Sequence, residues 1–377
     1  MTGIRYISLT GTSGYAQAAR RYLLGLVGLG VPVTWTPLVP GPAWGLEFEP
    51  YEGTSIGDPQ LDPVCNRAIP YDVVLLHTQP EYYPHLRAMF PDTRVAAYAA
   101  WETERVPRSW KTHLSGLDLL IVPCPWNRDV MRSGGFRQPV EVVPHSLLPG
   151  QAPLPAAAES DGPFTFYSIN VWDDRKAVDR TIAAYLRAFT AQDPVRLVLK
   201  TTEKHLSLRV PFTGCWPVRT QWLAERLRNR YPDPPPITLL TEKLPESGIQ
   251  DLHRQGDCYV SLCHAEGWGL GAFDAAASGR PVVMTGYGGQ TEFLPPDLSW
   301  RVPYRMTSPP FRPLLDYEFG HRWAEPDVGQ GARFLREVYE HPEESRAKAQ
   351  VLASRLCARY RSDLVAAELR DCLGRHF

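Results

Sequence analysis

Ser261-Leu-Cys-His-Ala-Glu266-Gly-Trp-Gly-Leu-Gly-Ala-Phe-Asp274-Ala-Ala-Ala-Ser-Gly279-Arg-Pro-Val-Val-Met-Thr-Gly286-Tyr-Gly-Gly289 decides the reading of the chain. An apolar strand, Cys258 to Cys263, runs into a glycine-rich turn spanning Gly267 to Gly271. A helix of small residues starts there, stops at Gly279, and leads through Pro281 into a second buried strand, Val282 to Thr285. A strand, a glycine turn and a helix N-terminus in that order offer unpaired backbone N–H groups and a partial positive charge to an anion. Two carboxylates bracket this turn: Glu266 before the glycines and Asp274 inside the helix. Carboxylates repel phosphate, so their natural partners are hydroxyl groups. A ligand with both phosphate and many hydroxyls is a nucleotide-sugar.

Other stretches supply the charge this turn lacks. Ser168-Ile-Asn-Val-Trp-Asp-Asp-Arg175-Lys176 precedes an amphipathic helix, and Val198-Leu-Lys200 ends a strand. A departing diphosphate gains negative charge as its bond to sugar breaks, and clustered cations compensate that charge. Cations at a helix start oppose the helix dipole, which favours a ligand-directed role for Arg175 and Lys176 over plain solvation. Asp173 and Asp174, adjacent, read as loop. Gly11-Thr-Ser13-Gly14-Tyr15 forms a turn after the first strand, and Gly286-Tyr-Gly-Gly289 a turn after a later one. Ala99-Ala-Trp101-Glu102-Thr-Glu-Arg-Val-Pro107-Arg-Ser-Trp110 follows a buried strand, with His77 ending the strand before it.

Glu266 and Asp274 with the glycines between them resemble the Glu-x7-Glu signature of retaining glycosyltransferases of the GT-B fold, the large family four group. The resemblance implies that Glu266 lies near the donor sugar and that Gly267, Trp268, Gly269 and Leu270 meet the diphosphate. It implies that Asp274, an aspartate where the family has a glutamate, binds the ribose. It also assigns Arg175, Lys176 and Lys200 to the diphosphate and Glu102 or His77 to the reacting sugar. Ser13 and Gly14 border the donor on the other domain, and Thr241, Lys243 and Leu244 lie at the base. The implied reaction moves a sugar from a nucleoside-diphosphate sugar to a hydroxyl acceptor with retained anomeric configuration. It needs no metal or other cofactor. The implied fold class is α/β with two Rossmann-like doubly wound domains facing an interdomain cleft. The acceptor is left open among glycans, lipid-linked glycans, small molecules and modified nucleic acid.

The rest of the chain fits that outline. Its 377 residues exceed one ordinary core and suggest two domains. Strands and helices alternate from Tyr6 to Val143, as in a doubly wound sheet, and restart at Phe164. The resulting expectation is a domain over 1–150, a linker over 151–162 and a nucleotide-binding domain over 163–341. Terminal helices over 342–377 are expected to return to the first domain, by resemblance. The 37 prolines cluster in loops, including Pro295 to Pro313, which reads as a long connection. A net charge of −1 gives no bulk attraction to nucleic acid or anionic lipid. The seven cysteines show no CxxC pairing, which points to buried free thiols, a cytoplasmic location and no zinc site. The N-terminus reads as a strand and no run has the length of a membrane span, although peripheral membrane attachment stays open. Rival readings are a catalytically silent nucleotide-sugar-binding protein and a sugar-nucleotide epimerase or phosphorylase.

Overall fold

A computed structural model describes residues 1–41, 47–154, 162–209, 217–310 and 317–377. Packing divides the chain into two units. The first comprises Met1–Trp101, Arg105–Gln151 and Ala358–Phe377, and the second Glu102–Glu104 and Ala152–Cys357. The expected linker falls largely on 155–161, outside the described residues, as does Cys215.

In the first unit the chain runs through β1 (Ile4–Leu9), α1 (Gly14–Gly28), β2 (Val33–Pro40), β3 (Phe48–Pro50), β4 (Val73–His77) and α2 (Tyr83–Ala88). It continues through β5 (Arg94–Tyr98), α3 (Trp110–His113), β6 (Leu119–Val122), α4 (Pro125–Ser133) and β7 (Val140–Val142). The strands form one sheet in the order β3-β2-β1-β4-β5-β6-β7. All neighbours are parallel except β2 and β3. Val73-Val-Leu-Leu-His77 is buried at every position, the pattern of a parallel strand covered on both faces.

The second unit holds β8 (Phe164–Ile169), α5 (Val178–Ala188), β9 (Val195–Lys200), β10 (Lys204–Arg209), β11 (Pro217–Arg219), α6 (Thr220–Arg228), β12 (Ile237–Leu240) and α7 (Glu246–Gln255). It goes on with β13 (Cys258–Ser261), α8 (Leu270–Ala277), β14 (Val282–Thr285), β15 (Trp300–Val302), β16 (Tyr304–Thr307), β17 (Trp323–Pro326), α9 (Val328–Glu340) and α10 (Pro342–Arg359). Six strands form a second parallel sheet in the order β12-β9-β8-β13-β14-β15. Phe166, Leu197, Val260 and Val283 of that sheet pack with Ile182, Tyr185, Leu335 and Val338 of α5 and α9. Each such side chain removed from water stabilises the unit by roughly 1.5–3 kcal/mol.

One feature departs from the sequence reading. The proline-rich stretch from Pro295 contains β15 and β16, and β16 pairs with β17 as an antiparallel hairpin outside the main sheet. Pro303 separates two strands too short to show a period of their own. The terminal block is two helices. As far as Cys357, α10 belongs to the second unit, while α11 (Ser362–His376) belongs to the first, where Val365, Leu369 and Leu373 join the core of Tyr22, Leu23 and Leu26.

Candidate active site

The second sheet reverses direction of growth between β8 and β13, since β9 and β12 lie on one side and β14 and β15 on the other. Ligands of open α/β sheets bind at the carboxyl ends of strands at such a reversal. Here β8 leads into Asp173, Arg175 and Lys176, and β13 leads into His264, Glu266 and the glycine turn.

Local backbone geometry fixes both cations. Asp173 Oδ1 accepts the Lys176 N–H at 2.6 Å, a local side-chain bond to the backbone three residues on. Ala177 then takes a left-handed conformation, φ 44°, and α5 starts directly from it. For alanine that conformation costs roughly 1–2 kcal/mol, and it persists because the surrounding contacts hold it. His264 N–H donates to the Arg175 carbonyl at 2.8 Å, tying the cation loop to the strand that carries Glu266.

Arg175 and Lys176 converge on Glu266. One Arg175 Nη donates to Glu266 Oε2 at 3.0 Å and to the Ala265 carbonyl at 3.0 Å. Lys176 Nζ bonds the other oxygen, Glu266 Oε1. Burial works to raise the Glu266 carboxyl, but the Lys176 and Arg175 charges overcome it and hold the group below the usual carboxylate range. Glu102 approaches from the other side, its Oε1 at 3.7 Å from Arg175 Nε. Burial raises the Glu102 carboxyl; Arg175 opposes that rise and Glu266 adds to it. For Arg175, burial acts downward, yet Glu102 and Glu266 lift it well above its ordinary value, so it is permanently cationic.

The glycine turn lies next to this cluster in the chain. Gly269 has φ 94° and is the N-cap residue of α8, which it caps without a side-chain hydrogen bond of its own. The second glycine loop is folded onto the first: Gly289 N–H donates to the Glu266 carbonyl at 2.8 Å. A Cβ on Gly289 would stand 1.9 Å from the Gly267 oxygen, so only glycine permits this approach.

Several expected donor residues sit in particular places. The Trp268 indole is buried against Phe273 and Phe293, at ring distances of 5.3 and 5.1 Å, so its side chain serves the core. Leu270 is the first residue of α8, and Asp274 is buried farther along it, where its charge acts on the Tyr167 phenol. Lys200 ends β9 with its ammonium donating to Thr201 O at 3.3 Å; burial lowers it and Glu242 opposes that shift. Thr241, Lys243 and Leu244 follow the edge strand β12, separated from β13 by β9 and β8. Ser13 and Gly14 belong to the first unit, where the Ser13 hydroxyl caps α1 by accepting Ala16 N–H at 3.2 Å. His77, also in the first unit, is buried with Nδ1 at 2.6 Å from Tyr6 Oη, and burial brings it down to about 3.

The sequence reading placed Asp173 in a loop without a role and gave Ala177 none. The first had a readable signal, an aspartate three residues before Lys176; the second had none, since alanine carries no mark of a left-handed turn. Among the described residues no group of three or more His, Cys, Asp or Glu side chains is placed to hold a metal ion. No described helix is long and apolar enough to cross a membrane.

Two doubly wound parallel sheets with this order of elements make the GT-B fold, the architecture of a large class of glycosyltransferases. No family model matches the sequence, and no curated protein does. Solved structures match over the whole chain. Sucrose-phosphate synthase from Thermosynechococcus elongatus is similar at TM-score 0.70 and 15% identity, with 100% of this chain and 99% of that one covered. Anabaena HepE, in complex with UDP-glucose, is similar at TM-score 0.67 and 12% identity over 100% of both chains. A third, trehalose-6-phosphate synthase of E. coli bound with UDP-2-fluoro glucose, gives TM-score 0.64 and 14% identity over 99% of both. At these identities the likeness is one of fold.

Proposed function

We propose that this chain is a retaining glycosyltransferase that moves a sugar from a nucleoside-diphosphate sugar to a hydroxyl acceptor without a metal ion. The observation that carries the proposal is the convergence of Arg175 and Lys176 on Glu266 beside the glycine turn that starts α8, at the reversal point of the sheet. The UDP and UDP-glucose held by solved structures of this fold support a uridine-linked donor.

The chemistry follows from charge. As the bond between the anomeric carbon and the phosphate oxygen breaks, the diphosphate becomes more negative and the sugar positive. Arg175 and Lys176 answer the first change, with the N–H groups at the start of α8 adding a fixed dipole. Glu266 stands beside both cations, where its carboxylate takes hydroxyls of the sugar and steadies the positive ring. The acceptor hydroxyl attacks from the face the diphosphate leaves, and its proton passes to the departing phosphate oxygen. The chain itself then needs no nucleophile and base pair. Lys200, Asp274 and the Thr241–Leu244 loop extend the same site toward phosphate, ribose and base in this reading.

Thermal-shift measurement against UDP-, GDP-, ADP- and dTDP-glucose tests it first. A ligand present at about 100 times its dissociation constant adds roughly 2.7 kcal/mol to stability. Donor hydrolysis or transfer, followed by NMR of the anomeric proton, then tests catalysis and retention. A protein that binds none of these donors sinks the reading.

A further inference from the structure

Two cations and two carboxylates already balance in this cluster. Glu102 Oε1 lies 3.7 Å from Arg175 Nε, and on its other side the guanidinium bonds Glu266 Oε2 and the Ala265 carbonyl, each at 3.0 Å. Lys176 completes the set through Glu266 Oε1. Among the described residues, Asp173, whose oxygen receives the Lys176 N–H, and the Tyr317 phenol are the remaining groups that act on Glu102. The diphosphate of a nucleotide-sugar brings two further negative charges to a part-buried cluster whose own four charges cancel, and Lys200, in the same reading, answers only one of them. Burying uncompensated charge is costly, so one carboxylate must yield. Glu266 is gripped by both cations. Glu102 has one longer contact and a like-charged neighbour in Glu266, and burial already favours its neutral form.

We propose that Glu102 is a positioning residue for Arg175 whose carboxylate takes up a solvent proton when the diphosphate of a nucleotide-sugar binds. One O–H bond forms on Glu102, the proton comes from the buffer acid, and Arg175 is handed from carboxylate to phosphate. In the empty site the charged Glu102 holds the guanidinium in place; in the filled site the neutral carboxyl no longer competes for it. The inference rests on the donor reading above.

Calorimetric titration of UDP-glucose in two buffers of different ionisation enthalpy tests it, because the diphosphate of UDP-glucose has no group titrating near neutral pH. The expected result is proton uptake on binding to the unaltered protein. Affinity should fall with rising pH, approaching about tenfold per unit where uptake is complete. In Glu102→Gln the uptake disappears, the pH profile flattens and binding at pH 8 tightens several-fold. A purely structural role would lower the unfolding temperature and leave the buffer dependence unchanged. Binding without uptake, or uptake that persists in Glu102→Gln, overturns this inference alone. Failure of the unaltered protein to bind UDP-, GDP-, ADP- and dTDP-glucose overturns the donor reading and this one with it.

Discussion

At the carboxyl ends of β8 and β13, the second unit gathers ionised side chains: half-buried Arg175 and Lys176 against buried Glu266, with half-buried Glu102 3.7 Å from Arg175. The first unit has the same kind of sheet, and its order reverses between β1 and β4. Near that point it buries polar side chains of another kind. Tyr6 Oη lies 2.6 Å from His77 Nδ1, and Tyr22 Oη donates to Tyr98 Oη at 2.9 Å. His77 stacks on Tyr98 with ring centres 4.4 Å apart, and His145 stacks on the same Tyr98 at 5.3 Å. Burial lowers both histidines, His77 to about 3, and raises the tyrosines, so this cluster carries no formal charge at neutral pH. One topology thus supports two ways of burying polarity. A neutral hydrogen-bonded stack adds rigidity and costs little desolvation, whereas a set of buried ions is a poor source of stability and a good means of meeting charge that develops in a reaction.

The largest expected difference between the two clusters is catalytic. Glu266→Gln should reduce kcat on the order of 10³ while the dissociation constant for UDP-glucose stays the same or tightens, because the lost carboxylate competes with phosphate for the cations. Arg175→Ala or Lys176→Ala should cost on the order of 10²–10³ in kcat. EDTA should change neither the unaltered protein nor the variants. Steady-state kinetics check all of these. Activity lost in EDTA and restored by Mn²⁺ would end the claim that the side chains alone compensate the diphosphate.

Next comes pH. His77 and His145 bind protons less well folded than unfolded, so below an unfolded value near 6.5 the unfolded chain holds more protons. Their contribution is fully present above that pH and is lost as pH falls toward about 3 for His77. Between pH 7 and 5 His77 should cost about 2 kcal/mol, and His145 acts in the same direction. Urea unfolding at both pH values, with His77→Gln losing one such share of the dependence, measures it. An unchanged pH dependence in His77→Gln would show that the neutral cluster is mis-described.

The glycine loops give the finest comparison. Gly289→Ala places a methyl against the Gly267 oxygen and should lower stability by roughly 1–3 kcal/mol, the usual scale of overpacking, with kcat falling as the Glu266 turn shifts. Around Gly14 a Cβ meets nothing within 4 Å, so Gly14→Ala should leave the unfolding temperature unaltered. Any loss of UDP-glucose affinity in that variant would then report a ligand close to the Gly14 backbone, and full affinity would remove Gly14 from the donor site.

The amino-acid sequence by itself determined the parallel sheets, because continuous apolar runs such as Val73-Val-Leu-Leu and Val282-Val-Met need no distant partner to be recognised. It also determined the glycine turn and the spacing of Glu266 and Asp274 around it, since those lie within one short stretch. The hairpins β10–β11 and β16–β17 escaped it, being short, proline-interrupted and outside the main sheets. So did the side-chain fate of Trp268, whose neighbour in the turn suggested a ligand while its indole packs on Phe273 and Phe293. Only the tertiary structure decided that Arg175 and Lys176 meet Glu266, some 90 residues away, and that Glu102 joins them in the second unit. The physical reason is range. Hydrogen-bond periodicity and turn chemistry act over a few residues and leave their mark in the sequence, whereas burial and Coulomb attraction act through space and are settled only when β8 and β13 lie side by side.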